Sequence, residues 1–206
     1  MKKLFFLILL LLCGSASVVS AQDLRTIFRD APDDIFPYLT NNCRADLVDF
    51  IDADMTARVA NSLDGISELI ELDNDFLLLA ISPSSTMQVK LLPFKEDTIM
   101  CVVRTVKAEA DDSRIDFYDM HWNRLECGDK FIYPAIREFF MTEATADEYV
   151  GVCDIYLVSL TMNAGDNSIV AEYTMPRYMN IEDAKEVKPL LRKLVYWWNG
   201  ERFVIE

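Results

Sequence analysis

One histidine is all this chain has, His121 among 206 residues. A Ser or Cys hydrolase triad needs a base held between nucleophile and acid, so any such triad here must be built on His121. Asp119 lies two residues away, about 7 Å along an extended strand, and Cys127 could supply a thiol to complete the set. A solitary histidine beside a tryptophan is more simply a packed or surface residue, and the residues favour that reading. No two cysteines stand at Cys-x-x-Cys spacing, which removes the usual redox and zinc motifs. Basic residues are also scarce, 20 against 34 acidic ones for a formal net charge of −14. A field of that sign repels phosphates and anionic lipid; with no basic stripe along the sequence, nucleic acid is excluded as a partner. Paired carboxylates for glycoside hydrolysis find no pattern that would choose a pair, and nothing implies a cofactor.

The apolar run Leu4–Leu12 follows Lys2 and Lys3 and relaxes into small residues ending Val19-Ser20-Ala21. It is shorter than the roughly 20 residues a membrane span needs and has the grammar of a secretory signal peptide. Residues 1–21 are therefore expected to be removed, leaving a mature chain from Gln22 with no transmembrane segment, exported to the periplasm or beyond. Lipid anchoring at Cys13 is disfavoured because Leu12 stands where a lipoprotein signal requires a small residue. Loss of Lys2 and Lys3 takes the formal charge to −16. Cys43, Cys101, Cys127 and Cys153 remain. In an oxidising compartment they could pair in three complete ways; Cys101, inside the apolar run Ile99–Val103, could equally pack as a reduced hydrophobe.

Periodicity organises the rest. Asp30 to Leu63 reads as a short helix, a turn at Asn41-Asn42 and a second helix or pair of turns reaching Ala60. Asp46, Asp49 and Asp52 line one face of it, a solvated face and not a calcium loop, since the glycine-bearing continuation is missing. After Gly65 the period becomes two. Ile66–Leu72, Phe76–Ser82 and Met87–Leu92 read as a meander, with Leu77, Leu79 and Ile81 facing the core beside Met87, Val89 and Leu91, and Ala80, Gln88 and Lys90 facing water. Thr98–Val106 and Arg114–Trp122 extend it. Ile132–Phe140 reads as a helix and Thr142–Tyr149 as an irregular stretch.

A hairpin turning at Ala164-Gly165-Asp166-Asn167 pairs Met162 with Ile169, Leu160 with Ala171, Val158 with Tyr173 and Tyr156 with Met175. Asn180 caps a short helix limited by Pro189. Asn199-Gly200 predicts a tight final hairpin, setting Tyr196 against Phe203, Leu194 against Ile205 and Trp197 against Arg202, with both of its faces covered. The fold class is α+β: antiparallel sheets, a meander plus hairpins, with helices packed on one face. The strands form two sets, so residues 22–206 make one domain with subdomains at about 22–127 and 128–206.

The string Phe36-Pro37-Tyr38-Leu39-Thr40-Asn41-Asn42-Cys43-Arg44-Ala45-Asp46-Leu47-Val48-Asp49-Phe50 joins Gly65-x-Ser67-Glu68-Leu69, Met87-x-Val89-Lys90-Leu91-Leu92-Pro93, Cys101-Val102-Val103-Arg104-Thr105 and Phe117-Tyr118-x-x-x-Trp122. Together they resemble a family of secreted proteins from Bacteroidales-type gut bacteria, classed as a domain of unknown function. Cys43 stands as an insertion or substitution in an asparagine-arginine-aspartate stretch. The resemblance covers nearly all of the mature chain and implies export to a Gram-negative cell envelope. It carries over no catalytic residue. Trp122, Trp197 and Trp198 are the candidate binding residues, amphipathic groups of the kind that stack sugars or anchor partners. The expected function is therefore a non-catalytic binding or assembly module whose partner is another envelope protein or a glycan. A secreted hydrolase acting on glycan or peptide through carboxylates or His121 is the alternative.

Overall fold

The computed structural model describes residues 23–205; the signal segment expected over residues 1–21, the expected cleavage site at Ala21 and Cys13 lie outside them. Two helices open the described chain, α1 (Leu24–Arg29) capped by Asp23 and α2 (Asn41–Asp52) capped by Thr40. Seven strands follow in a consecutive antiparallel meander: β1 (Ala57–Ala60), β2 (Ile66–Leu72), β3 (Phe76–Ser82), β4 (Ser85–Phe94), β5 (Asp97–Val106), β6 (Asp112–Tyr118) and β7 (Arg124–Leu125). After a 3-10 turn (Ile136–Phe139), α3 (Glu143–Tyr149) and a second 3-10 turn (Val150–Val152) come β8 (Val158–Met162) and β9 (Ser168–Tyr173). Then α4 (Ile181–Val187), β10 (Leu194–Trp198) and β11 (Phe203–Ile205) complete a second antiparallel sheet of order β11-β10-β9-β8. The fold is α+β.

Strand alternation divides the core in two. One face of the large sheet presents Leu77, Leu79, Met87, Val89, Met100 and Val102 to Leu24, Phe28, Leu47 and Val48 of the two first helices. The other presents Leu92, Ile99, Cys101, Val103, Ile115 and Phe117 to Leu160, Ala171, Tyr196, Trp198 and Phe203 of the small sheet. The large sheet is thus the middle of three layers.

That arrangement corrects the meander's expected polar face. Gln88 and Lys90 are 7% and 3% exposed and do not meet water. β8 is an edge strand, paired only with β9, and an edge leaves a row of unpaired backbone groups. Side chains of the large sheet fill that row. Asp112 Oδ1 accepts from Val158 N at 3.3 Å, Ser113 Oγ accepts from Leu160 N at 2.9 Å, and Gln88 Oε1 accepts from Met162 N at 2.9 Å. Gln88 Nε2 donates back to Leu160 O at 3.4 Å, so its amide stands in for a neighbouring strand. Lys90 Nζ donates to Ala164 O at 2.8 Å and pairs with Asp75 at 3.0 Å.

Other expectations divide. The β8–β9 register is as read for Val158, Leu160 and Met162, but β8 begins at Val158, so Tyr156 does not pair with Met175. Its hydroxyl donates instead to Pro134 O at 2.9 Å. The final hairpin is shifted by two residues: Tyr196 faces Ile205, Trp197 faces Val204 and Trp198 faces Phe203. Asn199 causes the shift. Its Oδ1 accepts from Glu201 N and Arg202 N at 3.0 and 2.9 Å, closing a four-residue loop in place of a two-residue one. Trp197 is 39% exposed, so the outer face of this hairpin is not covered as expected.

The helix expected over Ile132–Phe140 is reduced to its one 3-10 turn, because Phe139 O and Met141 N pair with Arg192 N and Leu190 O across the chain. The irregular stretch after it is α3, with Thr142 and Thr145 capping each other reciprocally. β1 replaces the helical turns expected before Ala60, held by Asn61. That buried amide accepts from Leu63 N and Gly65 N and donates to Ser67 Oγ and Ile81 O. Two of the three helical aspartates find partners across the helix pair, Asp49 with Arg29 at 2.7 Å and Asp52 with Arg25 at 2.9 Å. Such exposed pairs contribute about 0–1 kcal/mol each.

The four cysteines in the described residues are free thiols. Cys43 packs with the helical core, whereas Cys101, Cys127 and Cys153 belong to the core on the other side of the sheet. Burial raises the pKa of Cys101, Cys127 and Cys153. Alkylation in denaturant without reductant is therefore expected to label all four, and reductant to leave the melting temperature unchanged; a mass showing fewer labels would contradict free thiols.

Candidate functional site

β6 ends at Tyr118, and Asp119 to Asn123 form a locked turn in place of a strand end. Asp119 Oδ1 accepts from His121 N at 2.8 Å and from Asn123 N at 2.9 Å, while Oδ2 accepts from Asn123 Nδ2 at 2.8 Å. Desolvation works to raise the Asp119 pKa, but these donors outweigh it and hold the carboxyl below its usual range. Its oxygens cap the turn and hydrogen-bond the His121 amide, and among the described residues no hydrogen bond to the imidazole orients that ring. The imidazole itself is exposed. Cys127 packs against the small-sheet core, on the opposite side of the large sheet from the core that takes Trp122. Burial, with the Asp116 carboxylate nearby, keeps its thiol protonated, and a protonated thiol is a poor nucleophile. The fold does not gather His121, Asp119 and Cys127 into one cleft. Among the described residues no cluster of three or more His, Cys, Asp or Glu could hold a metal ion.

The three tryptophans part company. Trp122 sits at φ 64°, sparsely populated for a bulky residue, and is 8% exposed. Its indole donates to Ile27 O at 3.1 Å and its ring meets Phe36 and Tyr118 edge-on at 5.6 and 5.5 Å, tying α1 to the turn. Trp198 is also buried; it donates to Pro93 O at 2.6 Å and packs on Phe117 and Phe203. Trp197 points to the other face of the small sheet.

That outer face carries Thr161 on β8, Val170 and Glu172 on β9, Val195 and Trp197 on β10 and Val204 on β11, all half-buried or exposed. None of them belongs to either core. At one end the face runs into a pocket of 240 Å³ lined by Glu172, Arg177, Lys188, Arg192 and Lys193. Arg177 bridges Asp111 at 3.2 Å and Glu172 at 3.1 Å, and Lys193 pairs with Glu172 at 2.7 Å. Partial burial acts to raise the Glu172 pKa; Lys193 and Arg177 outweigh it and bring the carboxyl below its usual range. Four cations against Glu172 and Asp111 leave the pocket locally positive. Lys185, Lys188, Arg192 and Lys193 are close enough in sequence to have signalled such a patch, but Arg177 and the sheet face join them only in the fold. Among the described residues no helix is long and apolar enough to cross a membrane.

A family model described as "Protein of unknown function (DUF3256)" matches residues 16–203. A solved domain of an uncharacterised protein from Porphyromonas gingivalis W83 is similar to this chain with a TM-score of 0.77 at 23% identity, covering 89% of this chain and 98% of that one. That likeness concerns the fold alone. Comparison with curated proteins finds no match.

Proposed function

We propose that this chain, which belongs to the DUF3256 family of proteins of unknown function, is an exported, non-catalytic binding or assembly module of the cell envelope. One observation carries the reading: the catalytic candidates are spent on structure or kept apart, while the small sheet leaves an outer face with Trp197 exposed near one end and cations at the other. A flat face with one large amphipathic side chain offers contact area at low entropic cost. The cationic end gives an approaching partner a polarity on an otherwise acidic molecule. Export rests on the signal-like N-terminus, and the exported form begins at Gln22.

Complementation of a deletion strain separates this role from a hydrolase built on His121. A double variant, His121→Ala with Cys127→Ala, is expected to restore the envelope phenotype as well as the wild type does. Trp197→Glu, exported and melting as the wild type does, is expected to fail. The reverse pattern, with the double variant inactive and Trp197→Glu active, would overturn the binding reading in favour of catalysis.

A further inference from the structure

On the opposite side of the molecule, the helical face of the large sheet places arginine against arginine. Arg104 on β5 and Arg114 on β6 are direct cross-strand partners, a pairing of like charges that costs stability unless something offsets it. Asp116 does so from the next position on the same face of β6. It is 4% exposed, and its carboxylate holds Arg104 Nη1 at 3.3 Å, Arg114 Nε at 3.2 Å and Arg124 Nη2 at 2.6 Å. Three guanidiniums share one carboxylate. Each guanidinium has five donors and a carboxylate about four acceptor sites, so most of the donors in the cluster are left for something else.

Arg104 also forms part of the wall of a cavity of 260 Å³ beneath the turn that precedes α2, whose other walls are mainly apolar: Ile35, Phe36, Tyr38, Ile81 and Met87. Asp34 is the one acid among the lining residues. Asp34, Asp116 and Glu126, whose charge reaches Arg124, balance the three arginines, so the cluster is neutral on a chain whose net charge is −14. A cavity of about 150 Å³ accepts a benzene ring, and drug-sized sites begin near 300 Å³. The space therefore suits one ring or a short branched chain.

We propose that this pocket binds a small amphipathic monocarboxylate, an aryl or short acyl acid, with its apolar body against Phe36, Ile81 and Met87 and its carboxylate on Arg104. Arg104 presents a planar fork that matches a carboxylate. Arg114 and Arg124 share Asp116 with Arg104, so its carboxylate does not neutralise Arg104 alone, and it keeps all three in place before the ligand arrives, which lowers the cost of binding.

Isothermal titration of the purified protein with phenylacetate, against its neutral isostere 2-phenylacetamide, tests this. Phenylacetate is expected to bind with a dissociation constant of about 1 mM or tighter, and the amide about tenfold more weakly. Arg104→Gln should weaken phenylacetate about tenfold while leaving the amide unchanged. If that variant does not fold, the exposed Arg114→Gln and Arg124→Gln should each weaken the acid, and only the acid, by a few-fold. Trp197→Glu should leave both affinities as they are, which separates this site from the outer sheet face. Equal affinity for acid and amide, no heat from phenylacetate at roughly 10 mM, or arginine variants that bind it like the wild type would each overturn the proposal.

Discussion

Replacing Arg44 with methionine is expected to cost about 3–5 kcal/mol, the range for removing one partner of a buried charged network, and to lower the melting temperature by about 6–20 °C. Arg44 is 1% exposed, yet it is a cation on a helix. Its guanidinium donates to Leu39 O at 2.6 Å, to Ala31 O, to Arg29 O at 3.4 Å and to Asp33 Oδ1 at 3.2 Å, and it lies over the Phe36 ring at 5.7 Å. These partners are the two ends and the middle of the segment joining α1 to α2. Methionine keeps much of the volume and removes every donor. Asp33, 81% exposed at its side chain, returns to water at little cost, whereas the buried carbonyls of Ala31 and Leu39 cannot. Arg58→Met is the control, since Arg58 and Glu68 pair at a surface where such a contact contributes about 0–1 kcal/mol. Urea denaturation of both variants decides. If Arg44→Met loses no more than Arg58→Met, the segment is held by apolar packing and not by the guanidinium. Because Ile35, Phe36 and Tyr38 belong to that segment, the same variant is also expected to weaken phenylacetate.

Gln88→Leu carries the second large effect, about 2–4 kcal/mol. The leucine is compatible with the surrounding core, so the loss arises elsewhere: Met162 N–H and Leu160 C=O on the β8 edge are left without partners. A buried backbone group stranded in this way costs about 1–3 kcal/mol. Hydrogen exchange gives a local readout that a general loss of packing would not. The Met162 amide should exchange faster in Gln88→Leu by more than the global change in stability accounts for, while Ser159 and Thr161, paired into β9, should change only with it. Ser113→Ala should do the same to the Leu160 amide, which Ser113 Oγ caps. Unaltered protection at Met162 would mean that the side-chain amide is not what seals the edge. Because an unsealed edge pairs readily with other chains, Gln88→Leu is also expected to self-associate at concentrations where the wild type does not.

Periodicity revealed the meander because its strands are long and alternate strictly: Leu77, Leu79, Met87 and Val89 face one core as read. The β8–β9 register was legible for a related reason, since any one-residue slip would have buried Ser159 and Thr161. Short-range chemistry was legible where it acts alone, as at Asn180, whose side chain accepts from Asp183 N at 2.9 Å. It misled where a second local preference competed. Asn199-Gly200 is a strong signal for a two-residue turn, but the Asn199 side chain closes a longer loop and moves the register by two. The helix expected at Ile132–Phe140 yielded to distant backbone partners at Leu190 and Arg192. For the candidate site, the spacing of Asp119 and His121 was visible, but whether the carboxylate would face an imidazole or the backbone amides of its own turn was not.

The amino-acid sequence by itself determined the acidic character, the signal-like N-terminus, the α+β class and which residues of each long strand share a face. These follow from composition and from contacts between neighbours in the chain, where a period of two or of 3.6 leaves little choice. Only the tertiary structure decided that Gln88 and Lys90 are interior, that Trp122 and Trp198 are core while Trp197 is not, and that Arg104, Arg114 and Arg124 meet on Asp116. The reason is physical: a polar residue on a strand can face water or a backbone edge equally well. Which of the two it meets depends on where the second sheet docks, and that is set by the burial of apolar surface summed over both sheets, not by anything adjacent in sequence.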